Sequence, residues 1–194
     1  MATTVIQHND PQAVVSRLSP YLSRSEDDER PVVLMTCGIA GAGKTTLSKE
    51  VLRTHPNFQR LSIDEIIASR HGIYNIDYDP SQHEAYSEEA VDEFQVTLQR
   101  LLAGRQVDIV LDRAFYAKED RDDFKALIEK SNARWVLVHL KVDESILWRR
   151  IGERRKKGVD ANCALEISED LFRMYVDGFE HPCGEGEIVV EYTE

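Results

Sequence analysis

Three glycines precede a lysine and two hydroxyls in the stretch Gly38-Ile39-Ala40-Gly41-Ala42-Gly43-Lys44-Thr45-Thr46. Glycine admits backbone paths that a Cβ would block, so successive amide N–H groups can turn toward one anion. The spacing Gly38-x-x-x-x-Gly43-Lys44-Thr45 is that of a phosphate-binding P-loop. In such a loop Lys44 neutralises the terminal phosphates of a nucleotide and the Thr45 hydroxyl can ligate Mg²⁺. Residues 38–46 are therefore the nucleotide-binding candidates. ATP is the expected nucleotide, and GTP is compatible with the same loop.

Two carboxylates and two arginines could turn phosphate binding into chemistry. Asp64 ends the stretch "FQRLSID", twenty residues after Lys44. At the carboxyl end of a strand beside the P-loop it can orient an acceptor hydroxyl and take its proton. Its alternative role is to cap the helix that begins at "EIIASR". Asp112 closes the apolar run "VDIVLD", the Walker-B place for a Mg²⁺-holding carboxylate, or else a plain turn aspartate. Arg150 and Arg154 are four residues apart and share one helical face. They belong to a cluster with Arg149, Arg155, Lys156 and Lys157 in which Glu153 is the one acid. A lid that brings arginine to a transferring phosphoryl group would explain Arg150 and Arg154. A basic helix end complementing its dipole explains Arg155, Lys156 and Lys157. The catalytic candidates are thus Lys44, Asp64, Arg150 and Arg154, with Thr45 and Asp112 for the metal. Arg70, Arg113 and Tyr116 are the candidates for touching the acceptor.

The elements needed to position these residues are readable in the hydrophobic pattern. "VVLMTC" is a continuous apolar run, as in a parallel strand covered on both faces. "FQRLSID", "VDIVLD", "RWVLVHLKV" and "EIVVEY" read as further strands. Helices are expected at "TTLSKEVLRTH", from about residue 81 to 102, and at "KEDRDDFKALIEKS", "DESILWRRIGERRKK" and "SEDLFRMYVDGF". Ala85, Val91, Phe94, Leu98, Leu101 and Leu102 supply the apolar positions of the long one. Alternation of this kind gives an α/β fold with a parallel sheet, helices on both faces and three layers. Residues 1–30 read as an N-terminal extension with a short helix in "DPQAVVSRLSPYL" and an acidic linker in "SRSEDDER". Residues 31–194 form one domain, with a basic helical lid at about 143–176.

Composition narrows the function classes. With 194 residues the chain holds one well-cored domain. Its 24 Lys and Arg against 35 Asp and Glu leave a formal charge of −11, which disfavours a long nucleic acid as partner. Cys37, Cys163 and Cys183 are an odd number at unrelated spacings and read as reduced thiols of a cytoplasmic protein. No apolar stretch approaches the length of a membrane span. The "AKED" tetrapeptide begins with Ala117 and lacks the base-reading pattern of a GTPase.

Together these motifs resemble the kinases grouped with polynucleotide 5′-hydroxyl kinase, zeta toxin and chloramphenicol phosphotransferase, a P-loop domain of the AAA_33 type. The resemblance spans roughly residues 32–179, and its most specific part is "KTTLSKEVLRTHPNFQRLSIDE". It implies a five-stranded core in the order 2-3-1-4-5, ATP and Mg²⁺, and phosphorylation of a hydroxyl. It maps the general base onto Asp64, the Walker-B-type carboxylate onto Asp112 and the lid arginines onto Arg150 and Arg154. Where polynucleotide kinase has an arginine three residues after the base, this chain has Ile67. Arg70 lies one helical turn further on.

The acceptor is the open question. Residues 72–98 contain no Lys or Arg, yet Asp77, Asp79, Glu84, Glu88, Glu89, Asp92 and Glu93 all fall there. As a wall of the cleft they would favour a neutral or cationic small hydroxyl compound; as a solvated helix face they would favour nothing. The expected activity is transfer of the γ-phosphoryl group to a small-molecule alcohol. A polynucleotide 5′-kinase, a toxin-like kinase of sugar nucleotides and a nucleotide-dependent switch are the alternatives.

Overall fold

The computed structural model describes residues 3–7, 10–158, 160–161 and 166–192. Cys163 and part of the expected lid, residues 159 and 162–165, lie outside the described residues. Six parallel strands make one sheet in the order β1-β6-β5-β2-β4-β3. The strands are β1 (Thr4–Gln7), β2 (Val32–Cys37), β3 (Phe58–Leu61), β4 (Asp108–Asp112), β5 (Arg134–Lys141) and β6 (Ile188–Glu191). The five strands from Val32 onward keep the expected order 2-3-1-4-5, and β1 adds a sixth at the edge, beside β6. This strand has one buried residue, Ile6, in four and therefore no alternation to read.

Burial decides which strands are central. Every residue of β2 and β4 is buried, because helices cover both faces of the middle of a parallel sheet. The helices are α1 (Pro11–Leu22), α2 (Lys44–Thr54), α3 (Ile63–His71), α4 (His83–Gly104), α5 (Lys118–Lys130), α6 (Glu144–Lys157) and α7 (Glu169–Gly178). Part of the N-terminal extension packs on the core. Helix α1 buries Val14, Val15, Leu18 and Leu22 in the main core, and Asp10 caps it by accepting from the Gln12 and Ala13 amides. Helix α4 buries Ala90, Phe94, Leu98 and Leu102 at i, i+4, i+8 and i+12; Ala85, expected on that face, is exposed. No helix among the described residues is long and apolar enough to cross a membrane.

A second, smaller core lies under α3 and α4, formed by Ile67, Tyr78 and Ala90 with Tyr74 and Tyr86 against it. Beneath the loop after β4, Arg121 is fully buried and its guanidinium is held by both oxygens of Glu185, at 2.8 and 2.7 Å. It also donates to the Phe115 carbonyl at 2.9 Å, tying the C-terminal loop to the loop that carries Arg113 and Tyr116.

Candidate active site

A cleft of about 1040 Å³ runs along the carboxyl ends of the strands, as expected for an open α/β sheet. Ile39, Ala40, Gly41, Ala42, Gly43, Lys44, Thr45 and Thr46 line it, and Gly38 stands behind them, its N–H donating to Ala114 O at 3.0 Å. Two glycines are demanded by geometry. Gly43 caps α2 at φ +100°, and a Cβ on Gly41 would lie 3.0 Å from the Leu147 carbonyl of α6. The amino terminus of α2 opens into the cleft and brings its positive dipole end there. Lys44 Nζ donates to Gly38 O (2.8 Å) and Ile39 O (3.0 Å), which holds the ammonium at the mouth of the loop.

Asp64 and Asp112 share the cleft with Lys44. Asp64 is not a strand residue and not a cap: β3 ends at Leu61, Ser62 occupies the N-cap position, and Asp64 sits in the first turn of α3. Its carboxylate opens to the cleft yet is ringed by protein. That desolvation and the neighbouring Asp112 raise its pKa, while Lys44, Arg60 and His83 oppose the rise. Burial depresses Lys44, with Asp112 and Asp64 pulling it back up and Arg154 adding to the depression. Lys44 and Asp64 are therefore close enough to each other and to Asp112 for their own ionisation to be shifted. Asp112 is oriented by Arg60, whose Nε and Nη2 reach its Oδ2 at 2.8 and 2.7 Å, both side chains being almost wholly buried. Sequence reasoning missed Arg60. The available signal was a charge inside a parallel strand, which must have a partner.

The lid arginines differ in placement. Arg154 lines the cleft near Lys44. Arg150 also lines it, with its guanidinium 3.9 Å from the Tyr192 ring centroid and Nη1 3.5 Å from Gly41 O. Ile39, Leu140, Val142, Val190 and Tyr192 line the cleft too, together with Asp10, Pro11 and Val14 of the N-terminal segment. None of these eight except Ile39 was singled out by sequence.

Of the three acceptor candidates, Arg113 and Tyr116 line the cleft and Arg70 does not. Arg70 is bound instead to Glu89 and Glu93 of α4. Arg113 lies over the rings of Phe124 (4.9 Å), Phe115 (5.5 Å) and Phe94 (5.8 Å), and pairs with Asp120 at 3.3 Å. The Tyr116 hydroxyl donates to Met174 O at 3.0 Å, which joins the loop after β4 to α7. The acidic run of residues 77–93 is not a wall of the cleft: none of its seven acids lines it. Asp77 and Asp79 accept backbone amides of their own loop, and Glu89 holds Arg70 and His71. Tyr74, Tyr78 and His83 from the same segment line the cleft in their place.

The oxygen donors Thr45 and Asp112, with Asp64 nearby, suit a hard cation, which would relieve the repulsion between the two carboxylates. Among solved structures the chain is similar to a candidate kinase from Chloroflexus aurantiacus j-10-fl, at 20% identity and a TM-score of 0.65 over 84% of this chain and 88% of that one. It is also similar to a chain of the Pnkp1/Rnl/Hen1 RNA repair complex (19% identity, TM-score 0.60), over 77% of this chain and 44% of that one. A third similar structure is from the PezAT toxin–antitoxin system of Streptococcus pneumoniae, at 13% identity and a TM-score of 0.52, over 77% of this chain and 64% of that one. No curated protein sequence matches it. These likenesses carry the fold, and the AAA_33 model, an AAA domain, matches residues 33–181. The chain, with its P-loop at one end of that match and a parallel sheet running through it, belongs to the AAA_33 family.

Proposed function

We propose that the protein is an ATP- and Mg²⁺-dependent kinase that transfers the γ-phosphoryl group to a hydroxyl of a small molecule. The observation that carries this reading is the convergence of Lys44, Asp64 and Asp112 in one cleft beside the P-loop. Residues 39–46 would hold the triphosphate, and Tyr192 and Arg150 would take the base. Thr45 and Asp112 would hold Mg²⁺, which would supply positive charge to neutralise the phosphates. Lys44 and Arg154 neutralise the transferring group, with Arg150 at the nucleoside side of the lid. Asp64 positions the acceptor hydroxyl and receives its proton. The transition state of phosphoryl transfer is loose, so alignment and charge carry more of the rate than proton removal.

Lys44→Ala should lower kcat by two orders of magnitude or more, on the scale of losing an electrostatic clamp, about 3 kcal/mol. Asp64→Asn should abolish acceptor phosphorylation while calorimetry still detects nucleotide binding. Full transfer by Asp64→Asn, measured with γ-labelled ATP, would remove the assigned base. A polynucleotide 5′-kinase would need cations along the acceptor path, where Ile67 stands and Arg70 is bound by two glutamates.

A further inference from the structure

The acceptor end of the cleft has a chemical character of its own. We infer that it takes an uncharged alcohol bearing an aromatic ring, an inference that rests on the kinase reading of the same cleft. Tyr74 and Tyr78 of the loop between α3 and α4, with His83 at the start of α4, line the cleft together with Asp64, as do Tyr116 of the loop after β4 and Tyr175 of α7. Tyr78 and His83 are close enough to Asp64 to interact with it electrostatically. Rings lining the cleft beside a carboxylate favour a planar apolar group, because ring edges and faces attract one another beyond simple area burial.

The rings are held in place before any ligand arrives. Within the loop, Ile73 N donates to Asp77 Oδ2 at 2.7 Å, Asp77 N to Ile73 O at 2.8 Å, and Asn75 N to Tyr78 O at 3.0 Å. The Tyr78 hydroxyl lies 2.9 Å from His83 Nδ1. Tyr74 stands edge-on to both, with centroids 6.0 Å from Tyr78 and 5.0 Å from His83. Tyr78 is packed into the small core, whereas Tyr74 is half exposed and makes no side-chain hydrogen bond among the described residues. Tyr74 is thus the ring offered to a ligand, and Tyr78 and His83 are its backing.

Charge excludes the other main acceptor class. An acceptor carrying phosphate or carboxylate needs a cation of its own, apart from those on the nucleotide. At this end, among the described residues, the cleft presents Arg113, committed to Asp120 and three phenylalanine rings, and no lysine. A hydroxyl compound without charge meets no such need.

The test is a comparison of acceptors by the full chain with Mg²⁺ and γ-labelled ATP. Aromatic alcohols (1-phenylethane-1,2-diol and uridine) are set against aliphatic ones (propane-1,2-diol and glycerol) and an anionic one (uridine 3′-monophosphate). The aromatic pair should be used at least tenfold more efficiently than either other class. Tyr74→Ala should raise KM for the aromatic pair roughly tenfold, and Tyr74→Phe should restore it, since the ring and not the hydroxyl is at issue. Preferred transfer to glycerol or to the 3′-monophosphate overturns the inference and leaves the kinase reading standing. So does a Tyr74→Ala variant, folded by circular dichroism, with an unchanged KM for phenylethanediol. Calorimetric binding of phenylethanediol that is lost in Tyr74→Ala, without any label transfer, supports the aromatic site and refutes the kinase reading. Absence of both binding and transfer overturns it.

Discussion

The sheet divides the cleft into two halves about β2. On the β5-β6-β1 side, the P-loop, Arg150, Tyr192 and the cap of α1 line the cleft, at the end proposed for the nucleotide. On the β4-β3 side, α3, α4 and their connecting loop have a separate small core, and Arg70 of α3 is paired with Glu89 and Glu93 of α4. Phosphate chemistry needs the same groups in every P-loop protein, so the first half carries a motif. The half proposed for the acceptor has no such shared requirement, and it carries no motif.

That difference explains what was legible in the sequence. Lys44, Thr45 and the glycines are contiguous, and their spacing follows from the backbone path they must make. The strands from Val32 onward, with α2 and α4 through α7, followed from runs and periods, and burial is uniform along β2 and β4. The strand order was implied by the family resemblance alone. Asp64 was legible as a residue but not as a helical one, because Ser62 turns the chain two residues before it. The acidic run of residues 77–93 left two readings open for a plain reason: acids at one spacing can face solvent, a cap or a cleft, and only tertiary contacts decide. Arg60 and Asp112 are 52 residues apart and Arg150 and Tyr192 are 42 apart, so neither pair leaves a local signal.

The comparison can be broken most forcefully at its hinge, the Arg60–Asp112 pair. Arg60→Leu leaves a buried carboxylate without its guanidinium. Loss of one partner from such a pair costs about 3–5 kcal/mol. The melting temperature should fall by roughly 10 °C or more. If the acceptor half is the more independent one, transfer should suffer more than nucleotide binding in the fraction that remains folded. Equal loss of both, by calorimetry and labelled transfer, would show that the two halves are one unit.

A smaller effect is expected from acid on the nucleotide side. His139 on β5 is buried and packed against Phe179. Burial first, then His181 and Arg121, lowers its pKa to about 4. The unfolded chain binds this proton more tightly than the native one. Its contribution is therefore present in full above about pH 6.5 and is lost as the pH falls toward 4, up to roughly 3 kcal/mol. His139→Leu should flatten the pH dependence of the melting temperature across that window. An unaltered acid limb would assign the loss to another group.

The smallest effect is the most discriminating. Tyr192 lies under the Arg150 guanidinium, where a ring can hold the arginine now and meet a nucleotide base when one binds. Tyr192→Ala removes the ring but keeps the backbone hydrogen bond from Tyr192 N to Lys141 O (3.1 Å), so the end of β6 should stay in place. A cation–π contact at a half-exposed site is worth about 1 kcal/mol, which predicts roughly a fivefold rise in nucleotide Kd. The acceptor KM, measured at saturating nucleotide, should not move, because among the described residues the rings of the acceptor end pack against one another and against Tyr86 and Phe179, not against Tyr192. If Tyr192→Ala shifts the acceptor KM and spares nucleotide affinity, the two ends of the cleft are assigned the wrong way round. A rise in both would mean that helix α6, whose Arg150 lies over Tyr192, couples them through Arg150 and Arg154.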